Sequence, residues 1–303
     1  MPISRRGLIA AAAVGGPAAV LAARWALGRS SVVRPSEFKA EVAGDRRVLI
    51  SNGMPGHALG DFPNRHDPVP IRPQQHHFET PLTPAVAASP TDLRMWIFGV
   101  AVNGVVFDPS GPFWNRDGQS GWQFEVLAPA NAVALGIDVN HAHTQGRGMY
   151  HYHGLPTGLL WNLRKQAPTR LMHLLGYAAD GFPIYGPDGP SDPSALDSPP
   201  RRLRSSYQLK PGKRTDGPGG RHDGTFVEDF VYEPNLGDLD ECNGRTGPTP
   251  EYPDGTYYYV LTDDFPFIPR RYRGTPDATF QHGPPPGVSP PVPPALMQYR
   301  GES

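Results

Sequence analysis

The chain has 303 residues, 38% of them hydrophobic and 10% aromatic, and a formal net charge of -1. That is enough apolar material for a sizeable core and excludes wholesale disorder, while the near-neutral charge gives no electrostatic footprint for nucleic acid or an anionic membrane. With 38 Pro and 35 Gly, long helices are disfavoured and many short strands joined by turns are expected.

In chain order, Ser4-Arg5-Arg6-Gly7-Leu8-Ile9 precedes an uncharged Ala/Gly-rich run ending at Ala23. This resembles a twin-arginine export signal, so residues 1–29 are assigned to it, with the twin-arginine translocon as the export partner. The expected destination is periplasmic or extracellular. The run is short and alanine-rich for a membrane span, and an uncleaved anchor is the alternative to cleavage between Ala22 and Gly28. The single cysteine, Cys242, excludes an intramolecular disulfide and reads as a small buried hydrophobe.

Residues 30–275 read as one mainly β domain of short strands, a sandwich or distorted barrel with long Pro/Gly-rich loops. Arg47-Val-Leu-Ile50 predicts a strand, followed by a Pro-rich loop segment holding His57, His66, His76 and His77. Further strands are predicted at residues 94–98, at Val100-Ala-Val102 and Val105-Val-Phe107 around an Asn103-Gly104 hairpin turn, and at Trp122-Gln-Phe-Glu-Val-Leu127. Val133-Ala-Leu-Gly-Ile-Asp138 then delivers the chain into a histidine cluster. A short helix or turn is expected after Thr157, with His173 beyond it. Strands at Ser205-Ser-Tyr-Gln-Leu209, residues 226–232 and Tyr257-Tyr-Tyr-Val-Leu261 complete the set. Residues 276–303 form a Pro-rich tail that cannot fold alone.

The histidine cluster carries the chemistry. Four of the 11 histidines lie in His141-Ala-His143 and Tyr150-His151-Tyr152-His153, separated by the turn-like Gln145-Gly146-Arg147-Gly148. On strands, each His-x-His pair turns both rings to one face, and a hairpin would bring the pairs together. Convergent neutral imidazoles suit a transition metal, copper or zinc foremost, rather than calcium or magnesium. The candidate ligands are His143, His151, His153 and His141. Tyr150 and Tyr152 fall on the opposite face, where packing or support of a ligand is expected. Asp180, Asp240 and Glu241 are the candidates for proton transfer. The run Asp238–Gly244 fails the calcium-loop pattern because its glycine is late and Thr249 replaces the closing acid, so a self-capping turn is expected there.

A faint internal echo relates Gly148-Met-Tyr-His-Tyr-His153 to Gly255-Thr-Tyr-Tyr-Tyr-Val260, and Asp180-Gly-Phe-Pro-Ile184 to Asp264-Phe-Pro-Phe-Ile268. Duplication and convergent strand composition both account for it; under duplication only the first copy would bind metal.

With these motifs in place, the stretch from about Val48 to Gly274 resembles the YHYH-domain proteins, named for the tetrapeptide at Tyr150 to His153. The match includes Ser51-Asn-Gly53, Val102-Asn-Gly-Val105, residues 176–186, Ser205-Ser-Tyr207 and Gly237-Asp-Leu-Asp-Glu-Cys-Asn-Gly-Arg245. The resemblance implies an exported protein of undefined activity and places weight on His143, His151, His153, Asp180, Asp240 and Asn243. Some relatives carry a second cysteine near residues 266–274, absent here.

Three functions fit the sequence. The first is a metal-binding exported protein that handles copper or zinc. The second is a metal-dependent periplasmic enzyme, hydrolase or oxidoreductase, with an open metal position. The third is a surface binding module that uses Trp96, Trp114, Trp122 and Tyr257 to Tyr259 and keeps its histidines structural.

Overall fold

A computed structural model describes residues 35–93, 97–114, 121–281 and Leu296. The expected signal, most of the Pro-rich tail and residues 94–96 of one expected strand lie outside the described residues. Within them the protein is mainly β. No helix among the described residues is long and apolar enough to cross a membrane.

Strands β1 (Phe38–Ala43), β2 (Arg46–Ser51) and β3 (His76–Pro81) form an antiparallel meander. The sequence places His76 and His77 in a loop segment, whereas both belong to β3. There His76, Phe78 and Thr80 point inward and His77 outward, the period-two alternation of a half-buried strand. The two-residue β4 (Thr91–Asp92) pairs with β17 (Arg271–Tyr272). The chain then builds β5 (Gly99–Ala101), β6 (Val106–Phe107), β7 (Ala142–Gln145) and β8 (Met149–Tyr152), followed by β9 (Leu174–Ala178) and β10 (Pro183–Tyr185). Two small hairpin-like pairs follow, β11 (Asp188–Pro190) with β12 (Pro200–Arg202) and β13 (Tyr207–Leu209) with β14 (Phe230–Tyr232). Strands β15 (Gly244–Thr249) and β16 (Tyr252–Val260) complete an eight-stranded sheet of order β15-β16-β10-β9-β5-β6-β8-β7. That sheet is open, with different strands at its two edges, and is not a closed barrel.

The sheet is built from two similar halves. In one, the β5–β6 hairpin is extended by β8, parallel to β6, and β7 closes the edge; in the other, β9–β10 is extended by β16, parallel to β10, and β15 closes the edge. The halves meet where β5 pairs antiparallel with β9, Val100 opposite Tyr177 and flanked by Gly99↔Ala178 and Ala101↔Gly176. The two glycines are equivalent and required. A Cβ at Gly99 would lie 2.5 Å from the Tyr177 carbonyl oxygen, and one at Gly176 would lie 2.2 Å from that of Val100. The turns repeat as well: Gly104 and Gly181 have φ of +83° and +90°, each donating its N–H to the residue three back, Ala101 and Ala178. Only glycine adopts such angles without strain.

One half of the expected echo is therefore real, because β8 and β16 occupy equivalent places. The other is not: the counterpart of Asp180-Gly-Phe-Pro-Ile184 is Asn103-Gly-Val-Val-Phe107, on the equivalent hairpin.

Leu49 and Phe78 of the meander share one buried core with Phe98, Val100, Tyr152 and Tyr259 of the large sheet. Phe280, on a 3-10 turn at Ala278–Phe280, stacks on Phe78 at 4.5 Å. Two expected strands differ, and a short helix forms between them. Residues 122–127 make only isolated bridges, Phe113↔Gln123 and Phe124↔Phe226, because side chains take the backbone donors: the distant Glu228 accepts from Gln123 N–H and the neighbouring Glu125 from Leu127 N–H, in competition with a ladder. Residues 129–134 form helix α1 (Pro129–Ala134), with proline at its start and Gly136 at φ +68° just past its end, a favoured placement of both. In residues 226–232 only β14 is strand, the preceding Val227–Asp229 being a 3-10 turn. The expected helix forms as α2 (Thr157–Gln166).

Candidate metal site

Strands β7 and β8 form a hairpin whose turn carries Gly146 and Gly148 at φ +54° and +93°. Its register sets His143 directly opposite His151. Alternation along β8 brings His153 to the same face, and the His153 N–H donates to the His141 carbonyl at 2.7 Å. Ring centroids stand 4.8 Å apart for His143 and His151, 5.0 Å for His143 and His153, and 4.6 Å for His151 and His153. One nitrogen from each ring falls within 4.8 Å of the others.

Hydrogen bonding fixes which nitrogens are available. His143 Nδ1 donates to the Leu135 carbonyl at 2.9 Å and His151 Nδ1 to the Met149 carbonyl at 3.2 Å. A neutral imidazole that donates from Nδ1 keeps a lone pair on Nε2, the form a metal ligand takes. His153 is 1% exposed, and neither of its ring nitrogens makes a hydrogen bond of good geometry. A buried polar atom without a partner is costly and calls for a ligand.

The surroundings keep all three rings uncharged. Burial pushes His151 down to about 4. Burial, with His151 beside it, takes His143 to about 4 as well. His153 is driven well below the ordinary range by burial, then by His151, His143 and Arg270. Around the rings, Asp67 accepts from the N–H and hydroxyl of Thr144, and Asp108 from Gln145. Arg270 donates to the Pro109 carbonyl at 2.6 Å and pairs with Glu125 at 2.5 Å. Burial raises both Asp108 and Glu125 above the usual carboxylate range.

The tyrosines of the tetrapeptide lie on the opposite face, buried. His57 Nδ1 donates to the Ala58 carbonyl at 2.9 Å, so its Nε2 accepts from the Tyr152 hydroxyl at 2.6 Å. Asn103 donates to that same hydroxyl at 2.9 Å. Tyr150 donates to Asp138 at 2.8 Å. These bonds tie β8 to β5–β6 and to the loop ahead of β3.

His141 does not join the cluster. Its backbone is left-handed, φ +54°, which ends the strand alternation, and its ring bonds the Leu155 carbonyl at 2.8 Å. Nor do the three acidic candidates. Asp180 accepts from Tyr259 at 2.5 Å and from Gly274 N–H at 2.8 Å. Asp240 caps its own turn, accepting from Cys242 N–H, Gly244 N–H and Tyr257. Glu241 pairs with Arg271 at 2.5 Å. Asp240 and Glu241 precede β15, at the other edge of the sheet from β7. Asn243 holds β15 to β16 by donating to the Val260 carbonyl at 2.8 Å. Arg147 is exposed in the hairpin turn, and His173 lies beyond α2, outside the cluster. Cys242 is a free, buried thiol. Among the aromatics of the binding-module reading, Tyr257, Tyr258 and Tyr259 are buried and Trp122 is engaged with Asp216 and Phe226. Trp114 packs half-buried on the second core, and Trp96 lies outside the described residues.

Sequence reading missed Asp108, Glu125 and Arg270, which come to the cluster from three distant segments; no spacing links them. It also missed how closely the second half copies the first. Arg245 stands opposite Tyr258 as His143 stands opposite His151. The Val260 N–H donates to the Asn243 carbonyl as that of His153 does to His141, and Asn243 shares the φ of +54°. The counterparts of His143, His151 and His153 are thus Arg245, Tyr258 and Val260. Arg245 Nε donates to the Tyr258 hydroxyl at 2.6 Å and its Nη2 to the Pro190 carbonyl at 2.8 Å, so that half closes on itself.

No curated protein and no solved structure matches the chain. The family model described as YHYH protein matches residues 77–274, a span that holds the histidine triad, both halves of the sheet and the segment through Gly274, and the chain belongs to that family.

Proposed function

We propose that this chain is an exported protein that binds a transition metal ion, copper or zinc, through His143, His151 and His153. The observation that carries the reading is the convergence of three neutral imidazoles, within 4.8 Å of one another, around a buried His153 whose ring nitrogens make no hydrogen bond of good geometry among the described residues. Neutral nitrogen donors suit copper and zinc, and the carbonyl bonds to His143 and His151 orient those rings as outer-shell groups do in metal proteins. Export rests on Arg5-Arg6 and the apolar run behind them.

Elemental analysis of the full chain tests the first part: a stoichiometric transition metal, lost in His151→Ala and His153→Ala, is expected, and its absence from wild-type protein defeats the reading. For the second, replacing Arg5 and Arg6 by lysine should leave the protein in the cytoplasmic fraction. Unchanged fractionation would remove the export assignment.

A second reading, a metal-dependent enzyme, is favoured by the donor count. Three histidines, rather than four protein ligands, come together among the described residues, and three-ligand sites keep a position for water or substrate. Azide added to copper-loaded protein separates the two: a shifted visible spectrum shows a free position, and an unchanged one favours storage or delivery.

A further inference from the structure

The second half of the sheet has a cavity where the first half has protein. In the first half, Asp138 is fully engaged: it accepts from Asn140 N–H at 2.8 Å, from Tyr150, and from the backbone N–H of Gly60 at 3.0 Å. The loop that supplies Gly60 covers the site, with Phe62 edge-on to Tyr150 at 5.9 Å. A peptide segment of the chain itself is therefore the occupant of that place.

Asp240 is the counterpart of Asp138. Its backbone N–H donates to the Gly244 carbonyl as that of Asp138 does to Ala142, and it receives the Tyr257 hydroxyl as Asp138 receives that of Tyr150. Among the described residues no loop takes that place here. All three side-chain bonds of Asp240 fall on Oδ1, and Oδ2 takes none among the described residues. Asp240, Tyr257, Gly244 and Arg245 instead line a cavity of about 420 Å³, together with Tyr232 and Arg273.

Arg273 gives the cavity its chemistry. Its positive charge acts on Asp240, yet its guanidinium makes no hydrogen bond or ion pair among the described residues; the bonds of Arg273 are those of its backbone, whose N–H donates to Tyr259 and whose carbonyl accepts from Ala87 N–H. Arg273 is half-buried, and a cation that lines a cavity without a protein partner attracts an anion, a carboxylate foremost because it matches the guanidinium fork. The carboxylate of Asp238 does not supply the pair, being taken by Arg201 and Arg204 N–H.

We infer that this cavity binds a short peptide segment ending in a carboxylate, its backbone N–H on Asp240 Oδ2 as Gly60 is on Asp138, and its carboxylate on Arg273. The site is separate from the histidine triad and independent of whether the triad binds metal.

Calorimetric titration of the full chain tests this with N-acetyl-trialanine, its C-terminal amide and D-glucuronate. The peptide acid should bind at least ten-fold more tightly than the amide and than glucuronate, and Arg273→Gln should weaken it at least ten-fold, while Arg147→Gln, exposed in the β7–β8 turn, leaves it unchanged. Absence of binding overturns the inference, as does equal binding of acid and amide. Glucuronate as tight as the peptide would make the cavity a plain anion site, against the inference. If Arg273→Gln fails to fold by circular dichroism, Thr246→Trp, at an exposed residue of the lining, serves instead: it should block the peptide, and undiminished binding overturns the assignment.

Discussion

The two halves of the central sheet share a frame and differ in what hangs on it. In both, the first residue of the tetrapeptide or its counterpart is a tyrosine that bonds an aspartate, Tyr150 to Asp138 and Tyr257 to Asp240, and the third is a tyrosine that bonds the hairpin turn, Tyr152 with Asn103 and Tyr259 with Asp180. On the other face, the first half has three histidines with lone pairs to offer, and the second has Arg245, Tyr258 and Val260, satisfied among themselves and by Pro190. The comparison separates scaffold from function inside one tetrapeptide: the tyrosines recur because the fold needs them, and the histidines do not recur.

The sharpest way to break the comparison is through metal content. His151→Ala or His153→Ala should take bound metal from about one equivalent to near zero, since three protein donors are the minimum of such sites. Tyr258→Ala, at the mirrored place, should leave it unchanged. Metal retained in the histidine variants, or lost in the tyrosine variant, would place the ion elsewhere.

Acid should distinguish the halves next. In metal-free protein His151 is held at about 4, against 6.5 for an ordinary histidine, so below 6.5 the unfolded chain takes up a proton that the folded chain refuses until about 4. Stability should therefore be full above pH 6.5, fall as the pH drops through that window, and level off below it. The loss from His151 alone is roughly 3 kcal/mol by the conversion of a pKa difference to free energy. Urea denaturation between pH 7 and 4 measures it, and His151→Phe should flatten the profile by about that amount. A wild-type profile already flat would mean that the ring is not desolvated in the fold.

How much of this was legible in the sequence follows the same division. His-x-His and Tyr-His-Tyr-His around a glycine turn specify a hairpin locally, so the triad could be read. His141 could not be excluded, because its left-handed backbone is set by the turn from Asp138 to Ala142 and not by its own spacing. Asp180 and Asp240 read as proton-transfer groups because carboxylates near a signature attract that reading; their hydrogen bonds depend on Tyr259 and Tyr257, which only the folded sheet brings to them. The strand expected at residues 122–127 failed because Glu228, far along the chain, takes a ladder donor.

Smaller effects test the frame itself. Gly99→Ala and Gly176→Ala should each cost about 2 kcal/mol or more, because the added methyl would sit 2.5 and 2.2 Å from backbone oxygens and backbone must shift to admit it. Chemical denaturation of the two variants should give similar losses. A loss at one position with none at the other would show that the central β5–β9 pair is not symmetric in energy.

The smallest expected effect falls on His141. Its counterpart is Asn243, with the same φ of +54°, and asparagine is among the residues that tolerate the left-handed region best. His141→Asn exchanges one such residue for another and gives up the ring's bond to the Leu155 carbonyl, 2.8 Å long, a contact worth about 1 kcal/mol. Stability should therefore change by no more than about that amount, and bound metal not at all. A variant that folds normally but loses its metal would restore His141 as a ligand, and the ion would then sit toward the turn rather than against His153.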